Sequence, residues 1–372
     1  MTVRSGFSML ILVFALPACG TANKGARPLP GDTGGGGATT LPPIVMGQHG
    51  LPVPPGGAVA KPAGTAGNLA VLSWAGFKAA VSWTFDDGQP SHIAHYAELQ
   101  ATGVPMTFYV TTANAGLADF DATWAQAVRD GHEIGNHTVH HCHYDGTSLS
   151  GCTSGSLAAT TTVEDEIDQC TTHIASNYGQ AGVWTMAAPF GDSAYGKPAA
   201  ARFLANRGAY TGLIAPDGNT DRFNLPCYMA VDNDTAARFG SQTDIARAGG
   251  KWLIFLIHTI TPTSDNWYAP VDIADVTGGM TYGRSQGDVW MGTVADVAAY
   301  WVGQQLLAAA APTVTGGETT WAWTLPAGFP PGKYLRVKVD GGTLAQAGWP
   351  LEWDEHGYYE VALDAGALTL VP

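Results

Sequence analysis

Residues 252–258 read Trp-Leu-Ile-Phe-Leu-Ile-His, a continuous apolar run of strand length that ends on an ionisable side chain. A strand with one face in water alternates apolar and polar residues, whereas a strand buried on both faces is apolar throughout. Strands of the second kind occur mainly in parallel sheets covered by helices. The run therefore predicts a central strand of a parallel sheet.

Strand-like and helix-like segments alternate around this run. Short β-rich runs occupy residues 79–85, 106–111 and 184–188. Residues 163–178 have apolar side chains at helical spacing and acids in the first turn, where the helix dipole favours them. Residues 289–307 have the character of a closing helix. This alternation predicts an α/β fold with a parallel sheet or a (β/α) barrel over residues 69–310.

The pattern changes after Ala311, where short runs alternate apolar and polar residues between Pro, Gly and Asp-Gly turns. Residues 311–372 therefore predict a small all-β, sandwich-like domain. Trp349 and Trp353 are candidates for stacking on a glycan. Packing on the barrel is the preferred role, since a unit of about four strands has little core of its own.

The N-terminus has the pattern of an export signal. Arg4 precedes the apolar run 7–16, which is shorter than the ~20 residues of a membrane-spanning helix. The run ends in Leu-Pro-Ala-Cys-Gly, which resembles a bacterial lipobox and predicts lipid attachment at Cys19 after a signal peptide over 1–19. Pro17 is unusual there, so plain secretion is the alternative. Residues 20–68, rich in Gly and Pro, predict a flexible tether.

The remaining cysteines and the net charge limit the disulfides and the partners that the protein could have. Export makes disulfides possible, and Cys142, Cys152, Cys170 and Cys227 allow three connectivities. The short loop favours Cys142 with Cys152, and four buried thiols are the alternative. A net charge of −14 excludes nucleic acid as a partner and leaves contact with a membrane only through a lipid anchor.

Three separated segments carry candidate chemistry. Asp86 and Asp87 follow a predicted strand, where two adjacent acids are costly to bury without a metal or a proton, although Asp-Asp-Gly is also typical of a turn. His137 and His141 lie four residues apart and would suit a metal together with one carboxylate, or a His-rich surface loop. His258 suits proton transfer at neutral pH, or a place in the core.

Taken together, four motifs resemble one family. Their order is TFDDG at 84–88, HTVHH at 137–141, APFG at 188–191 and LIFLIH at 253–258. It is similar to the NodB-homology polysaccharide deacetylases, carbohydrate esterase family four, over about residues 72–302. The resemblance implies a NodB-type distorted (β/α) barrel and an acetylated polysaccharide as substrate.

The resemblance also implies residue roles. Asp87, His137 and His141 hold a divalent metal, with Zn²⁺ preferred and Co²⁺ or Mn²⁺ open. Asp86 is the general base and His258 the general acid. The backbone N–H of Phe190 stabilises the oxyanion, and Leu256 lines a pocket for the acetyl methyl group.

Two positions depart from the family pattern. The family's arginine, which tethers the catalytic base, is replaced by Ala187. For the aspartate that charges the catalytic histidine in the family, the only candidates here are Asp232 and Asp234.

From the motifs and the export signal together, we expect an exported, lipid-anchored or secreted, metal-dependent hydrolase that removes N- or O-linked acetyl groups from a polysaccharide of the cell envelope. The alternatives are a catalytically silent carbohydrate-binding protein and a small-molecule amide hydrolase on the same barrel.

Overall fold

The computed structural model describes residues 41–113, 117–155, 161–264 and 268–372. The predicted signal peptide, Cys19 and the first part of the predicted tether lie outside these residues. Across the described ranges, no helix combines the length and the apolar character that crossing a membrane requires.

A closed barrel of seven parallel strands forms the centre of the described part of the chain. Neighbours in sequence are neighbours in the barrel, and the last strand pairs with the first. The strands are β1 Ala79–Phe85, β2 Met106–Val110, β3 Glu133–Asn136, β4 Thr185–Ala187, β5 Ala205–Thr211, β6 Leu225–Met229 and β7 Trp252–Ile257. The prediction of a (β/α) barrel is thereby confirmed.

Closure depends on β1 and β7, whose side chains are buried at every position. Their parallel register pairs Trp252 with Ala80 and Ile257 with Phe85. The continuous apolar run that predicted a central strand therefore has both faces covered, one by the barrel interior and one by the surrounding helices. The same register brings Asp86 and His258 out of the barrel side by side.

Helices cover the barrel from outside. The longer ones are α1 Leu117–Arg129, α2 Val163–Asn177, α3 Ala236–Gly249, α4 Ile273–Ser285 and α5 Val294–Ala309. Shorter α-helices span Pro90–Ala94, Tyr96–Ala101 and Gly196–Ala200, and 3₁₀ turns span Ser73–Gly76, Pro189–Gly191, Ser193–Tyr195 and Leu363–Ala365. Thr162, Thr235 and Thr293 cap α2, α3 and α5 by accepting a backbone N–H with their side chains.

The closing helix starts later than the sequence pattern predicted. Strand β8, Val289–Met291, runs parallel to the first half of β1, and α5 begins only at Val294. Both segments are apolar, so hydrophobicity alone did not separate them. The boundary is set by Gly292 and by the cap residue Thr293, which stops the helix from extending backwards.

The C-terminal residues form antiparallel sheets, which confirms the predicted all-β character. One sheet has the order Thr313–Thr315, Glu318–Ala322, Ala367–Val371, Thr343–Gln346 and Trp349–Pro350. The other has the order Ala70–Val71, Tyr334–Lys338, Tyr358–Ala362 and Trp353–Asp354. Two-stranded pairs join His143–Tyr144 to Leu149–Ser150, and Ile260–Thr261 to Val271–Asp272.

Residues 41–68 pack against these sheets, although their composition predicted a flexible tether. The buried guanidinium of Arg336 donates from Nη1 to the carbonyl oxygen of Pro52, at 2.6 Å, and from Nη2 to that of Leu51, at 3.3 Å. Its Nε also donates to Glu360, at 3.0 Å. A segment without regular structure is thus held through its carbonyl groups, a kind of contact that composition does not reveal. The predicted boundary at residue 311 stays a prediction.

The two candidate glycan-stacking residues of this region differ in their contacts. Trp353 donates from Nε1 to the carbonyl of Val59, at 2.8 Å, and packs edge-on against Tyr359. Trp349 is 77% exposed at a strand end. Trp353 thus packs against Val59 and Tyr359, while the preferred role of this region, packing on the barrel, stays a prediction.

A buried carboxylate lies inside the barrel, near the starts of the strands. Glu133 accepts hydrogen bonds from the hydroxyl groups of Thr107, at 2.9 Å, and Thr185, at 2.6 Å. It also accepts the backbone N–H of Ala295, at 2.9 Å, in the first turn of α5. Burial raises the pKa of Glu133 to about 7, although these three donors lower it.

This carboxylate should make the stability of the fold depend on pH. The folded pKa of Glu133 lies above its ordinary value of 4.5, so the fold favours the protonated form. Its contribution to stability is therefore present at low pH and lost as pH rises through about 7. Between pH 4.5 and about pH 7, the wild type should lose about 3 kcal/mol of unfolding free energy relative to Glu133→Gln. Urea unfolding at both ends of the interval measures this change, and a pH-independent difference between the two proteins would contradict it.

Candidate active site

Three predicted ligands converge at the C-terminal edge of the barrel strands. The Oδ1 atom of Asp87 lies 3.4 Å from Nε2 of His137 and 3.5 Å from Nε2 of His141. Among the described His, Cys, Asp and Glu residues, these three form the group whose ligand atoms all lie within 4.8 Å of one another. Two imidazoles and a carboxylate at this spacing suit a divalent metal with open coordination positions.

The loops that carry these ligands adopt left-handed backbone conformations, which are uncommon outside glycine. The φ angles are 72° at Asp87, 66° at Thr138, 50° at His141 and 55° at Phe190. Such strain costs free energy and concentrates at functional sites. The strained positions follow β1, β3 and β4, where the chain turns abruptly to aim side chains over the barrel.

Both imidazoles have their second nitrogen engaged, which fits a metal at Nε2. Nδ1 of His137 donates to the carbonyl of Ala187, at 2.8 Å, and Nδ1 of His141 lies 2.9 Å from the hydroxyl of Thr153. A donating Nδ1–H leaves the lone pair of Nε2 free for a metal. The carbonyl of Ala187 therefore fixes the tautomer that metal binding needs at His137, and the hydroxyl of Thr153 is compatible with the same tautomer at His141.

The electrostatics of the three residues are coupled. Burial opposes ionisation of Asp87, but the hydrogen bond and charge of His137 hold the pKa of this carboxyl well below its ordinary value. Burial likewise opposes charge on His137, but the Asp87 and Asp86 carboxylates raise its pKa. Burial and the neighbouring His137 lower the pKa of His141 to about 4. His141 is therefore a neutral imidazole at neutral pH, the form that binds metals.

Further side chains hold the ligand loops in place. Nε2 of Gln89 donates to Oδ2 of Asp87, at 3.1 Å, while Oε1 of Gln89 accepts from the hydroxyl of Thr259, at 3.0 Å. Oε2 of Glu166, in the first turn of α2, accepts the backbone N–H of His140, at 2.7 Å. Oε1 of Glu166 lies 2.6 Å from Nδ1 of His140. The metal-site loops are thus anchored from two sides.

A disulfide between Cys142 and Cys152 closes the short hairpin next to His141. The pair is the one that the loop length favoured. The hairpin places Thr153 beside His141, with the Thr153 backbone N–H also donating to the His141 carbonyl, at 3.2 Å. Cys170 and Cys227 are buried thiols.

Asp86, the predicted general base, is buried beside the metal ligands and bonded to an arginine that the motifs did not include. Nη2 of Arg207 donates to Oδ2 of Asp86. Within the described residues, Oδ1 of Asp86 has no hydrogen-bond partner. A buried acceptor in this state is uncommon and points to a bound water or ligand. Arg207 lies on β5, outside the four recognised motifs, so only the fold brings it to the site.

His258, the predicted general acid, follows β7 at the same edge. Its backbone carbonyl accepts from Nε2 of His92, at 2.6 Å, and burial lowers the pKa of its own ring. The candidate aspartates of the family's fourth motif do not reach it in the described residues. Oδ2 of Asp234 accepts instead from the Tyr228 hydroxyl, at 2.9 Å, and Asp232 is exposed. Nδ1 of His258 has no partner in the described ranges.

A cavity of about 540 Å³ joins these groups. Leu256 lines it from β7, and Phe190 lines it with a ring that stacks on His143 at a centroid distance of 3.6 Å. Tyr268 covers the ring of His258 edge-on at 5.0 Å. All seven side chains predicted for metal binding, catalysis or substrate contact line this cavity, namely Asp86, Asp87, His137, His141, Phe190, Leu256 and His258. Their individual roles stay predictions.

Residues 76–209 match the family model described as polysaccharide deacetylase. This range contains the first three of the four motifs. No curated protein matches the chain.

Several solved structures are similar to the chain. A T48 deacetylase solved with substrate has 20% identity, covers 59% of this chain and 91% of its own, and gives a TM-score of 0.39. The CE4 domain of a multidomain xylanase from the hindgut metagenome of Trinervitermes trinervoides has 17% identity, coverages of 59% and 89%, and a TM-score of 0.39. A CE4 family pseudoenzyme from Bacillus anthracis has 17% identity, coverages of 59% and 65%, and a TM-score of 0.36.

The contact between Thr153 and His141 should control metal affinity. Thr153→Val removes the hydroxyl that holds Nδ1 of His141 but keeps the shape of the side chain. Loss of such an outer contact typically weakens metal binding about 10–100-fold. Isothermal titration of the metal-free protein with Zn²⁺ should show this increase in Kd.

Thr147→Val is the matched control, because the Thr147 hydroxyl donates to Asp145 at the tip of the same hairpin, away from His141. Its Kd for Zn²⁺ should equal that of the wild type. Equal Kd values for Thr153→Val and the wild type would show that the hydroxyl does not orient His141.

Proposed function

We propose that this protein is a metal-dependent hydrolase that removes N- or O-linked acetyl groups from an extracytoplasmic polysaccharide. The observation that carries the proposal is the convergence of Asp86, Asp87, His137, His141 and His258 on one cavity, from three distant parts of the sequence. The family match over residues 76–209 supports the same reaction class.

Asp87, His137 and His141 would hold the ion. A divalent metal there would lower the pKa of water and polarise the acetyl carbonyl. Zn²⁺ fits two neutral imidazoles and one carboxylate, and Co²⁺ or Mn²⁺ would also be accepted by this donor set.

Asp86 would act as the general base. Its Oδ1 atom accepts no hydrogen bond from described residues, while Oδ2 is held by Arg207. The carboxylate therefore has one oxygen fixed and one available for the proton of an attacking water. Attack forms a bond from the water oxygen to the acetyl carbon, and the water proton passes to Oδ1.

His258 would act as the general acid. The imidazolium form of His258 gives a proton to the leaving nitrogen or oxygen as the bond from the acetyl carbon to that atom breaks, which releases a neutral amine or alcohol. The proton taken by Asp86 then passes to solvent and His258 takes one up, which restores both groups. Acetate and the deacetylated sugar are the products. His92 fixes the backbone of His258 through the carbonyl contact, and Tyr268 shields its ring from water.

The substrate is proposed to be a polymer of the cell envelope, because the predicted signal peptide, lipobox and tether would place the enzyme there. Two features favour the alternative of a silent carbohydrate-binding protein slightly, namely the missing arginine at Ala187 and the C-terminal β-domain. Arg207 supplies a guanidinium to Asp86, so the first of these reasons for a silent protein no longer holds. Binding alone also gives no reason for a buried base beside a metal site.

Acetate release tests the proposed reaction. The chain from Lys24 onward, loaded with Zn²⁺, should release acetate from at least one of chitin oligomers, peptidoglycan and acetylxylan. EDTA treatment should abolish release, and added Zn²⁺ should restore it. Stoichiometric metal binding with no acetate from any of these substrates would favour the silent binding protein.

Asp86→Asn separates proton transfer from metal binding. The variant should keep one equivalent of metal and lose turnover by about 10²–10⁴-fold, the range for removal of a general base. His137→Ala should instead lose metal and turnover together, because it removes a ligand. Metal analysis beside initial rates distinguishes the two cases. Unchanged turnover in Asp86→Asn would remove Asp86 from the mechanism.

A further inference from the structure

Arg207 is an almost fully buried cation, with 1% of its surface exposed. Nη2 donates to Oδ2 of Asp86, and Nη1 donates to the carbonyl of Gly208, at 2.9 Å. The guanidinium also lies over the ring of Tyr109, 5.4 Å from its centroid. Burial alone would lower the pKa of Arg207, but the Asp86 carboxylate raises it. In a buried ion pair of this kind, each charge compensates the desolvation cost of the other, so removal of either one leaves the remaining charge unfavourably buried.

Two strands near Arg207 carry small residues where they face the barrel interior. Thr185 points inward, since its hydroxyl meets that of Tyr109 at 2.9 Å. Side chains two apart on a strand share a face, so Ala187 also points inward. Gly135 on β3 is the register partner of Tyr109 on β2, and an added Cβ there would come within 2.4 Å of the Tyr109 ring. Small residues at 135 and 187 therefore leave the space that Tyr109 and Arg207 fill.

Ala187 and Arg207 are direct neighbours across two strands. β4 and β5 run parallel, and their register pairs Ala187 with Arg207. Register partners in a parallel pair project to the same side of the sheet. A long side chain at position 187 would thus enter the same interior space from one strand away. Ala187 is fully buried beside Arg207, so a second long side chain there would have to displace its neighbours.

We propose that Arg207 is the positioning residue for Asp86, and that the arginine can act from either position 207 or position 187 but not from both together. The proposal rests on the proposed function for its kinetic consequence. Arg207 does not touch the substrate. It fixes Oδ2 of Asp86, which turns Oδ1 toward the water, and it compensates the buried carboxylate charge.

The test uses three variants of the full chain. Arg207→Met keeps the volume and removes the charge, Ala187→Arg adds a second arginine, and the double variant Ala187→Arg/Arg207→Ala moves the arginine by one strand. Arg207→Met should lower kcat about 10–100-fold, as for loss of an outer contact at a metal centre, with KM and metal content unchanged. Ala187→Arg should lower Tm through overpacking.

The double variant should recover kcat to within about threefold of the wild type, a loss well below the 10–100-fold expected for an absent outer contact. Recovery by a second mutation at a different position cannot come from a purely local packing role of Arg207. Arg202→Met is the matched control, because Arg202 pairs with Asp168 outside the site and its removal should leave kcat unchanged. If Arg207→Met does not fold, the double variant still decides, and a folded double variant with kcat at least tenfold below that of the wild type overturns the proposal.

A second measurement is independent of turnover. Removal of Arg207 leaves Asp86 buried without its partner, so Arg207→Met should lower Tm by at least about 5 °C. Asp86→Asn in the same chain should recover most of that loss, and so should the relocated arginine. If the wild type releases no acetate, the proposed function fails while these Tm values still test the pairing. A Tm loss that neither change recovers overturns the positioning role.

Discussion

The parallel register between β1 and β7 is the constraint on which the site depends. It pairs Phe85 with Ile257, and the backbone N–H of Asp86 continues the ladder by donating to the carbonyl of Ile257, at 3.0 Å. A shift of one residue would turn Asp86 and His258 to opposite faces of their strands. Because both strands are buried on both faces, such a shift would also disturb the core on each side. The apolar packing of the barrel thus fixes the spacing of two polar groups that lie beyond its edge.

The polar groups above the barrel are held by a layered set of contacts. Strained turns aim the ligands, and each strained turn is braced by a neighbour. Gln89 braces Asp87, Glu166 braces the loop before His141, and Thr153 braces the His141 ring. A site built in this way is preformed, because Gln89 is the N-cap residue of a short helix, Glu166 belongs to α2 and Thr153 follows a covalently closed hairpin. Little rearrangement is then required when a metal or a substrate binds.

The sequence was sufficient to predict the barrel and the residues that line the cavity, for reasons that can be given residue by residue. A strand that is apolar throughout indicates a parallel sheet. Asp87, His137 and His141 lie in motifs whose order along the chain is recognisable. Arg207 was missed because it lies on a neighbouring strand and in none of the motifs. Ala187 was therefore interpreted as the loss of the arginine that tethers the catalytic base. The packing of residues 41–68 was missed because the segment is held by hydrogen bonds to its backbone carbonyl groups. Every residue has a carbonyl group, so the sequence gives no sign of such contacts. Strand β8 was hidden inside an apolar stretch that suited a helix equally well.

The strand Ala70–Val71 and the buried Arg336 have a consequence for the order of biosynthesis. Val71 pairs with Val337, and the carbonyl groups of Pro52 and Ala75 are bound by a residue synthesised more than 250 positions later. The carbonyl groups of Pro52 and Ala75 therefore lack this partner until residue 336 has been synthesised, although the earlier residue Arg284 binds the carbonyl groups of Leu41 and Pro42. The barrel can close before then, because its strands are consecutive. This contact is consequently completed after the barrel strands have been synthesised, when Ala70–Val71 pairs with Tyr334–Lys338.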